Sequence, residues 1–411
     1  MGWRNRDPVR SLTLRGRCFL AAGAAAVVCG IQIGERDFVR IGLLAGLLPL
    51  LAWLWVHRGR RREVWVRRNV SALQIEAGGR AQVEVEVTNS GTRTGVLLLE
   101  EELSPALGAR QRFVLEPLAP NARATLRYPI HAQTRGRYPV GPMHVRVGDP
   151  IGMVELDQVI PSESTILVTP HTEPLPRIGL TGRWAGAGDD RTRELLGGGS
   201  PDVTIREYRL GDDLRRIHWP TSARVDELMV RREEQQWQSR CTVLLDNRRI
   251  THRGSGQRSS MERAVSVTAS VLHALVAMDF EVRLIDASGR STHPGWQQGS
   301  RGASLAEHLE RLAVIGPTRS EQLATGWVDE TQHGGMLLAV LGHLGDADRE
   351  RLAGFAAAGD SAYAVVLDVA TWDRSGRPEA TATASLRSGG WKAATLPNDG
   401  SLAAAWQELA Q

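Results

Sequence analysis

Two long apolar runs open the chain. Cys18 to Ile33 carries no charge, Gly34-Glu35-Arg36-Asp37 makes a polar turn, and Phe38 to Val56 is apolar apart from Arg40. Each run predicts a helix about long enough to cross a hydrocarbon core of ~30 Å. Trp53 and Trp55 stand at the end of the second run, where aromatic belts form. Arg4, Arg6, Arg10, Arg15 and Arg17 precede the first run and Arg58, Arg60, Arg61 and Arg62 follow the second, whereas the turn is net acidic. This asymmetry predicts a two-span membrane hairpin over 18–57, a basic cytoplasmic N-terminus over 1–17, and a cytoplasmic remainder. Residues 1 to 30 also fit a signal peptide, with a basic n-region before a short Ala-rich h-region. The second run would then stop transfer, and everything after Arg58 would still be cytoplasmic. A hairpin buried in a soluble core would press both arginine clusters against that core.

From Val64 to about Pro170 the pattern changes to period two. Val83, Val85 and Val87 alternate with Gln82, Glu84 and Glu86, and Met143, Val145 and Val147 alternate with His144 and Arg146. Turn signals at Asn89-Ser90-Gly91, Ala119-Pro120-Asn121, Arg135-Gly136-Arg137 and Gly148-Asp149-Pro150 space these strands as an antiparallel β-sandwich over 63–170. A Pro- and Gly-rich stretch follows, so 171–236 reads as a linker plus a polar signature segment, with Gly186-Ala187-Gly188 a flexible loop and not a phosphate cradle.

Over 237–411 strands alternate with helices, which predicts an α/β doubly wound domain on a parallel sheet. The expected strands are Cys241 to Leu245, Glu281 to Ile285, Met336 to Leu341, Ala362 to Leu367 and Ala393 to Leu396. The helices run over Ser260 to Met278, Leu305 to Ala313, Ala347 to Ala357 and from Leu402.

Composition narrows the chemistry. The net charge of +4 comes from 50 basic and 46 acidic residues, a mixed surface that gives no nucleic-acid footprint. Lys392 is the only lysine and no G-x-x-x-x-G precedes it, so the chain is not a P-loop ATPase. Cys18 and Cys29 fall in apolar runs and Cys241 in a strand, which gives no disulfide framework or zinc site. His252, His273, His308, His333 and His343 lack any H-E-x-x-H spacing and read as surface or packing residues.

The densest polar constellation runs from Arg206 to Trp219, with Glu227 to Glu233 after it. Gly211-Asp212-Asp213 is a turn and helix-cap signal. Arginines and carboxylates in this number form structural networks or docking surfaces, and the candidates for interaction are Arg206, Tyr208, Gly211, Asp212, Asp213, Arg216, His218 and Trp219. The alternative is a cell-envelope hydrolase using His218 with Asp212 or Asp213. No nucleophile stands at a recognisable spacing and no G-x-S-x-G elbow occurs, so no catalytic residue is assigned.

Tyr208 to Trp219 with Leu228-Met229-Val230-Arg231, and upstream Arg135-Gly136-Arg137-Tyr138 and Gly148-Asp149-Pro150-Ile151-Gly152, resemble the bacterial domain of unknown function 58 (DUF58) family. Pro220-Thr221 departs from the Lys-Ala that many relatives carry. The resemblance implies two N-terminal spans, a β-rich region and a C-terminal von Willebrand factor A-like domain. Such domains often bind a divalent ion through Asp-x-Ser-x-Ser. Asp246 takes the first place, but Arg248 and Ile250 stand at the hydroxyl positions and Gly342-His343 follows the strand that would supply a later acid. An arginine there repels the ion and can replace its charge, so the metal site is degenerate and no metal or other cofactor is expected.

The expected whole is a non-enzymatic, membrane-tethered cytoplasmic scaffold. Its partners would be the lipid bilayer and, as the resemblance implies, a MoxR-type AAA+ ATPase and a transglutaminase-like membrane protein, with no nucleic acid.

Overall fold

The computed structural model describes residues 11–58, 64–149, 151–161, 164–180, 204–207, 219–225, 227–232, 240–292, 304–327, 335–358, 361–372 and 380–410. The chain divides into two compact units, Met1–Thr169 and Pro170–Gln411.

The first unit begins with a helical hairpin of α1 (Leu14–Ile33) and α2 (Arg36–Arg58). Thr13 caps α1 by accepting the Gly16 amide. Gly34 ends it at φ 78°, a left-handed conformation that only a residue without Cβ takes freely. The helices meet through glycine: a Cβ on Gly23 would lie 2.8 Å from the Gly42 carbonyl oxygen and 2.9 Å from the Gly46 nitrogen. The buried residues of α1 are Gly16, Gly23 and Gly30, spaced two turns apart on one face. The large side chains point the other way, with Val28, Ile31, Ile41, Leu43 and Leu50 all exposed. A hairpin inside a soluble core would show the reverse arrangement. Both helices are long and apolar enough to cross a membrane.

Nine strands follow: β1 (Val64–Val70), β2 (Gln74–Glu76), β3 (Arg80–Asn89), β4 (Leu97–Leu103), β5 (Gln111–Leu115), β6 (Arg123–His131), β7 (Gly136–Gly148), β8 (Glu155–Ile160) and β9 (Ser164–Thr169). Among the described residues they form a β1-β3-β6 sheet and a β2-β9-β7-β4-β5 sheet with β8 on β7, antiparallel except for β2 and β9. The alternation seen in the sequence is the physical basis of their shared core. Val83, Val85 and Val87 from the first sheet join Leu97, Met143 and Val145 from the second in one cluster. Glu84 and Glu86 face outward and pair with Arg127 and Arg123 across the strands.

Glu101 breaks the pattern. It is fully buried beside a register shift in β4, with Arg68 Nε donating to its carboxylate oxygens at 3.0 and 3.2 Å. Burial raises its pKa, and the Arg68 charge and hydrogen bond oppose that rise only in part.

In the second unit an extended segment from Pro170 to Leu180 lies against the α/β core. Ser266 Oγ donates to the His171 carbonyl oxygen at 2.6 Å and Trp406 Nε1 to that of Pro176 at 2.9 Å. Two short strands, β10 (Thr204–Glu207) and β11 (Met229–Arg232), form an antiparallel ribbon with α3 (Trp219–Val225) between them in sequence.

The main sheet comprises β12 (Arg240–Leu245), β13 (Glu281–Asp286), β14 (Met336–Leu341), β15 (Ser361–Leu367) and β16 (Lys392–Leu396), all parallel, ordered β13-β12-β14-β15-β16. In chain order this is 2-1-3-4-5, an order found in doubly wound sheets. The helices are α4 (Ser260–Ala277), α5 (Leu305–Val314), α6 (Asp346–Ala358), α7 (Ala380–Ser388) and α8 (Leu402–Glu408).

Because both faces are covered, the strands read as unbroken apolar runs. Val243, Leu284, Leu338 and Val365 belong to one cluster with α4, α5 and α8. Leu244, Ile285, Ala339 and Val366 belong to a second cluster, with α6 and α7. The helix that follows β12 and the helix that follows β14 therefore lie on opposite faces. The crevice where ligands ordinarily bind such a sheet opens between the carboxyl ends of these two strands.

Candidate functional site

That crevice is filled from within. Asp246 follows directly on β12, and two residues later the chain turns back so that the Arg248 side chain lies under its own loop, both residues fully buried. Arg248 Nε donates to Asp246 Oδ1 at 2.9 Å and Nη2 to Oδ2 at 2.9 Å, a bidentate fork. Nη1 reaches Asp348 Oδ1 at 2.7 Å and the Glu321 carbonyl oxygen at 3.0 Å.

Three chain segments thus converge on one guanidinium: the loop after β12, the 316–321 stretch, and the first turn of α6. Burial alone would lower the pKa of Arg248, but the hydrogen bonds and charges of Asp246 and Asp348 outweigh burial and raise it. The cation is permanent. Asp348 gains further from its place in the first turn of α6, where backbone N–H groups favour negative charge.

His252 completes the cluster. Its Nε2 lies 2.6 Å from the Asp246 carbonyl oxygen and its Nδ1 3.1 Å from Ser260 Oγ at the start of α4. Burial lowers its pKa, and the backbone contact to Asp246 offsets this only in part. The loop after β14 passes so close that a Cβ on Gly342 would lie 2.4 Å from the Thr251 carbonyl oxygen, and the His343 amide donates to that oxygen at 2.8 Å. Above this packed floor Arg249 is exposed and Ile250 is 51% exposed.

Of the degenerate site read from the sequence, Asp246 and Arg248 meet, while Ile250 faces solvent. Asp348 and His252 were missed. Gly342-His343 supplies no acid, but the chain delivers one a few residues later, on the helix that Gly345 and Asp346 begin. Asp348 lies 100 positions from its arginine, a separation at which no local spacing signals a partner. Among the described residues no group of three His, Cys, Asp or Glu could hold a metal ion. Cys241 is buried, which raises its thiol pKa and leaves it unreactive.

The signature segment is described in part. Arg206 sits in β10 opposite Val230 of β11, and the Met229 amide donates to Ser222 Oγ of α3 at 2.8 Å, tying helix to ribbon. Pro220 stands in the first turn of α3, where a missing N–H leaves no helix bond unmade. Trp219 is 65% exposed, and Val225 and Leu228 are also exposed. Tyr208, Gly211, Asp212, Asp213, Arg216 and His218 lie outside the described residues, as does the Gly186 to Gly188 loop.

The two upstream motifs have local structural causes. The Tyr138 hydroxyl donates to the Arg135 carbonyl oxygen at 3.0 Å, and a Cβ on Gly136 would sit 2.7 Å from the Tyr138 ring. Asp149 is buried and accepts the amides of Ile151 at 3.0 Å and Met153 at 2.7 Å, closing a tight loop between β7 and β8.

The ribbon, the Arg248 cluster and four of the five strands of the parallel sheet, β12 to β15, lie within one stretch of sequence that has known relatives. Residues 204–367 match the family described as Protein of unknown function DUF58. The chain is also 24% identical over 255 residues to the uncharacterized protein YeaD of Bacillus subtilis (strain 168), covering 58% of this chain and 58% of that relative's length. Both findings support the DUF58 family.

Among solved structures, the CARDB domain of the PF1109 protein from Pyrococcus furiosus, in complex with di-metal ions, aligns with 26% of this chain and 93% of its own. Its identity is 15% and the TM-score is 0.20. The C-terminal domain of wzt covers 26% of this chain and 78% of its own at 10% identity and a TM-score of 0.20. At such TM-scores these likenesses carry no functional argument.

Proposed function

We propose that the chain is a membrane-tethered, cytoplasmic protein-binding module without catalytic activity, built from a two-span hairpin, a β-sandwich and a metal-free von Willebrand A-like domain. The observation that carries this reading is the Arg248 guanidinium held between Asp246 and Asp348. It takes the place at the switch point that a divalent ion or small ligand would need. The outer surface is left to make contacts, with Arg249 and Ile250 above the Arg248 cluster, Trp219 and Val225 on α3 and Leu228 just before β11. Tryptophan and arginine are enriched among the few residues that carry most of the binding energy at protein interfaces. The outward apolar faces of α1 and α2 support the tether.

The partners of this reading are a MoxR-type AAA+ ATPase and a transglutaminase-like membrane protein, docked on the Asp246 to Gly254 edge and on the signature segment. Co-purification of the full chain from solubilised membranes tests it. Charge reversal at Asp212 and Arg216 together should lose the ATPase while the thermal unfolding midpoint is unchanged. Retention of every partner would remove the signature segment as a docking site. Micromolar Mg²⁺ binding lost on Asp246→Ala, read by calorimetry, would overturn the metal-free reading.

A further inference from the structure

Within the first unit the hairpin packs directly against the loop between β7 and β8. Leu12 pairs with Val154 in a β-bridge, the Thr13 amide donates to the Met153 carbonyl oxygen at 2.9 Å, and Thr13 Oγ1 donates to that of Gly152 at 2.7 Å. On α2, Ala52 and Val56 pack with Met153 and Val154. The Asp149 loop is therefore a socket that grips the base of both helices. At 1.5 Å per residue α1 is about 30 Å long, the thickness of a hydrocarbon core. If α1 spans, its first turn lies at the boundary and the residues bonded to Thr13 lie among headgroups.

Strand register brings further residues to this same end. Val147 stands opposite Leu97, so Val96 lies beside the socket, and a Cβ on Gly95 would be 3.6 Å from the Gly148 carbonyl oxygen. Val64 stands opposite Asn89, whose side chain ties the Thr92 and Leu118 carbonyls, which places Trp65 near this edge. Ile151 is 53% exposed, Val96 49% and Trp65 57%. Arg15, Arg17 and Arg93 are exposed among them, with Glu116 as an opposing acid.

We infer that this end of the first unit is a lipid-contact rim seated on an anionic bilayer surface. Ile151, Val96 and Trp65 enter the interfacial layer, and Arg15, Arg17 and Arg93 meet lipid phosphates. The inference rests on the membrane-spanning reading of the hairpin and goes beyond it. A tether alone lets the soluble part stand off the membrane, whereas the socket holds it down. Apolar side chains flanked by aromatic and basic ones are favoured at that depth.

Spin-label accessibility tests it on the full chain in vesicles of phosphatidylglycerol and phosphatidylcholine, with Cys18→Ser and Cys29→Ser as background. Labels are placed by Ile151→Cys on the rim, Val28→Cys in α1, and Leu73→Cys at the far end of the sheets. The rim label should be several-fold less accessible to a water-soluble nickel chelate than the Leu73 label. Replacing Arg15, Arg17 and Arg93 together by Gln, or using phosphatidylcholine alone, should raise that accessibility.

A buried Val28 label with a rim label as exposed as that at Leu73 overturns the rim while the hairpin stands. A rim label insensitive to lipid charge and to the arginine replacement overturns it too. A water-exposed Val28 label removes the hairpin reading and the rim with it.

Discussion

Arg248 joins two acids that stand 102 positions apart in the chain, Asp246 and Asp348, and this has consequences at single residues. Its guanidinium neutralises part of two buried carboxylates, so Arg248→Leu leaves Asp246 and Asp348 without a cation and should destabilise the second unit by about 3–5 kcal/mol. Urea unfolding of the detergent-solubilised chain measures this, and an unchanged midpoint would show that the trio is not coupled. Arg248→Ser also opens the space between the two acids. Millimolar Mg²⁺ should raise the thermal midpoint of that variant and leave the parent unmoved.

His252 adds a pH dependence. Its pKa is lowered from the ordinary 6.5, so the unfolded chain binds more protons in the interval between the two values. The stability it contributes is complete above 6.5 and is lost as pH falls through the folded value. His308, on the buried side of α5 and likewise lowered by burial, acts in the same direction, so His252→Gln should flatten the acid limb of the unfolding midpoint in part. A limb unaltered by the substitution would place the titration elsewhere. Glu101 in the first unit has the opposite sign: its pKa is raised above 4.5, and its contribution, complete below 4.5, is lost as pH rises through the folded value.

Among elements, the hairpin depends most on the absence of side chains. Helices in an apolar medium associate by close packing, since neighbouring lipid is as apolar as leucine. The 2.8 Å from a Cβ on Gly23 to the Gly42 carbonyl oxygen leaves no room for adjustment. Gly23→Leu should therefore lower the dodecyl sulfate fraction at which the hairpin comes apart, whereas Ile31→Ala on the exposed face should not. Equal shifts in both variants would exclude the glycine interface.

Legibility from the sequence follows how local each element's cause is. The Val83, Val85 and Val87 alternation and the apolar runs of β12 and β14 carry their burial in adjacent residues, so they could be read directly. The helix α7, Ala-Thr-Ala-Thr-Ala-Ser-Leu-Arg-Ser, has no apolar stripe and takes its order from Trp391 and the sheet beneath it. The β10 and β11 ribbon depends on pairing across some twenty intervening positions, and β-strands this short carry little pattern of their own. The nearness of Arg248 to Asp246 was legible in the sequence, but the three-segment clasp was not, because Asp348 and His252 reach it only through the crossover of β14 and the entry into α4.

For the whole molecule, if the hairpin crosses a membrane as proposed, its two crossings put the N-terminus and the chain after Arg58 on one side, and the flanking charge is expected to decide which side. Arg4, Arg6, Arg10, Arg15 and Arg17 before the hairpin, and Arg58, Arg60, Arg61 and Arg62 after it, outweigh the Glu35-Arg36-Asp37 turn. Short flanks rich in arginine are retained in the cytoplasm. The turn should then face outward: Glu35→Cys should react with an impermeant maleimide in intact cells, and a C-terminal tag should resist protease in spheroplasts until the membrane is opened. Digestion of the tag in intact spheroplasts would place both units outside and remove a cytoplasmic ATPase from the possible partners. The same result would leave the Arg248 clasp untouched, since its stability depends on burial and not on compartment. The two halves of the proposed function, where the chain resides and why its crevice takes no ion, can therefore fail separately.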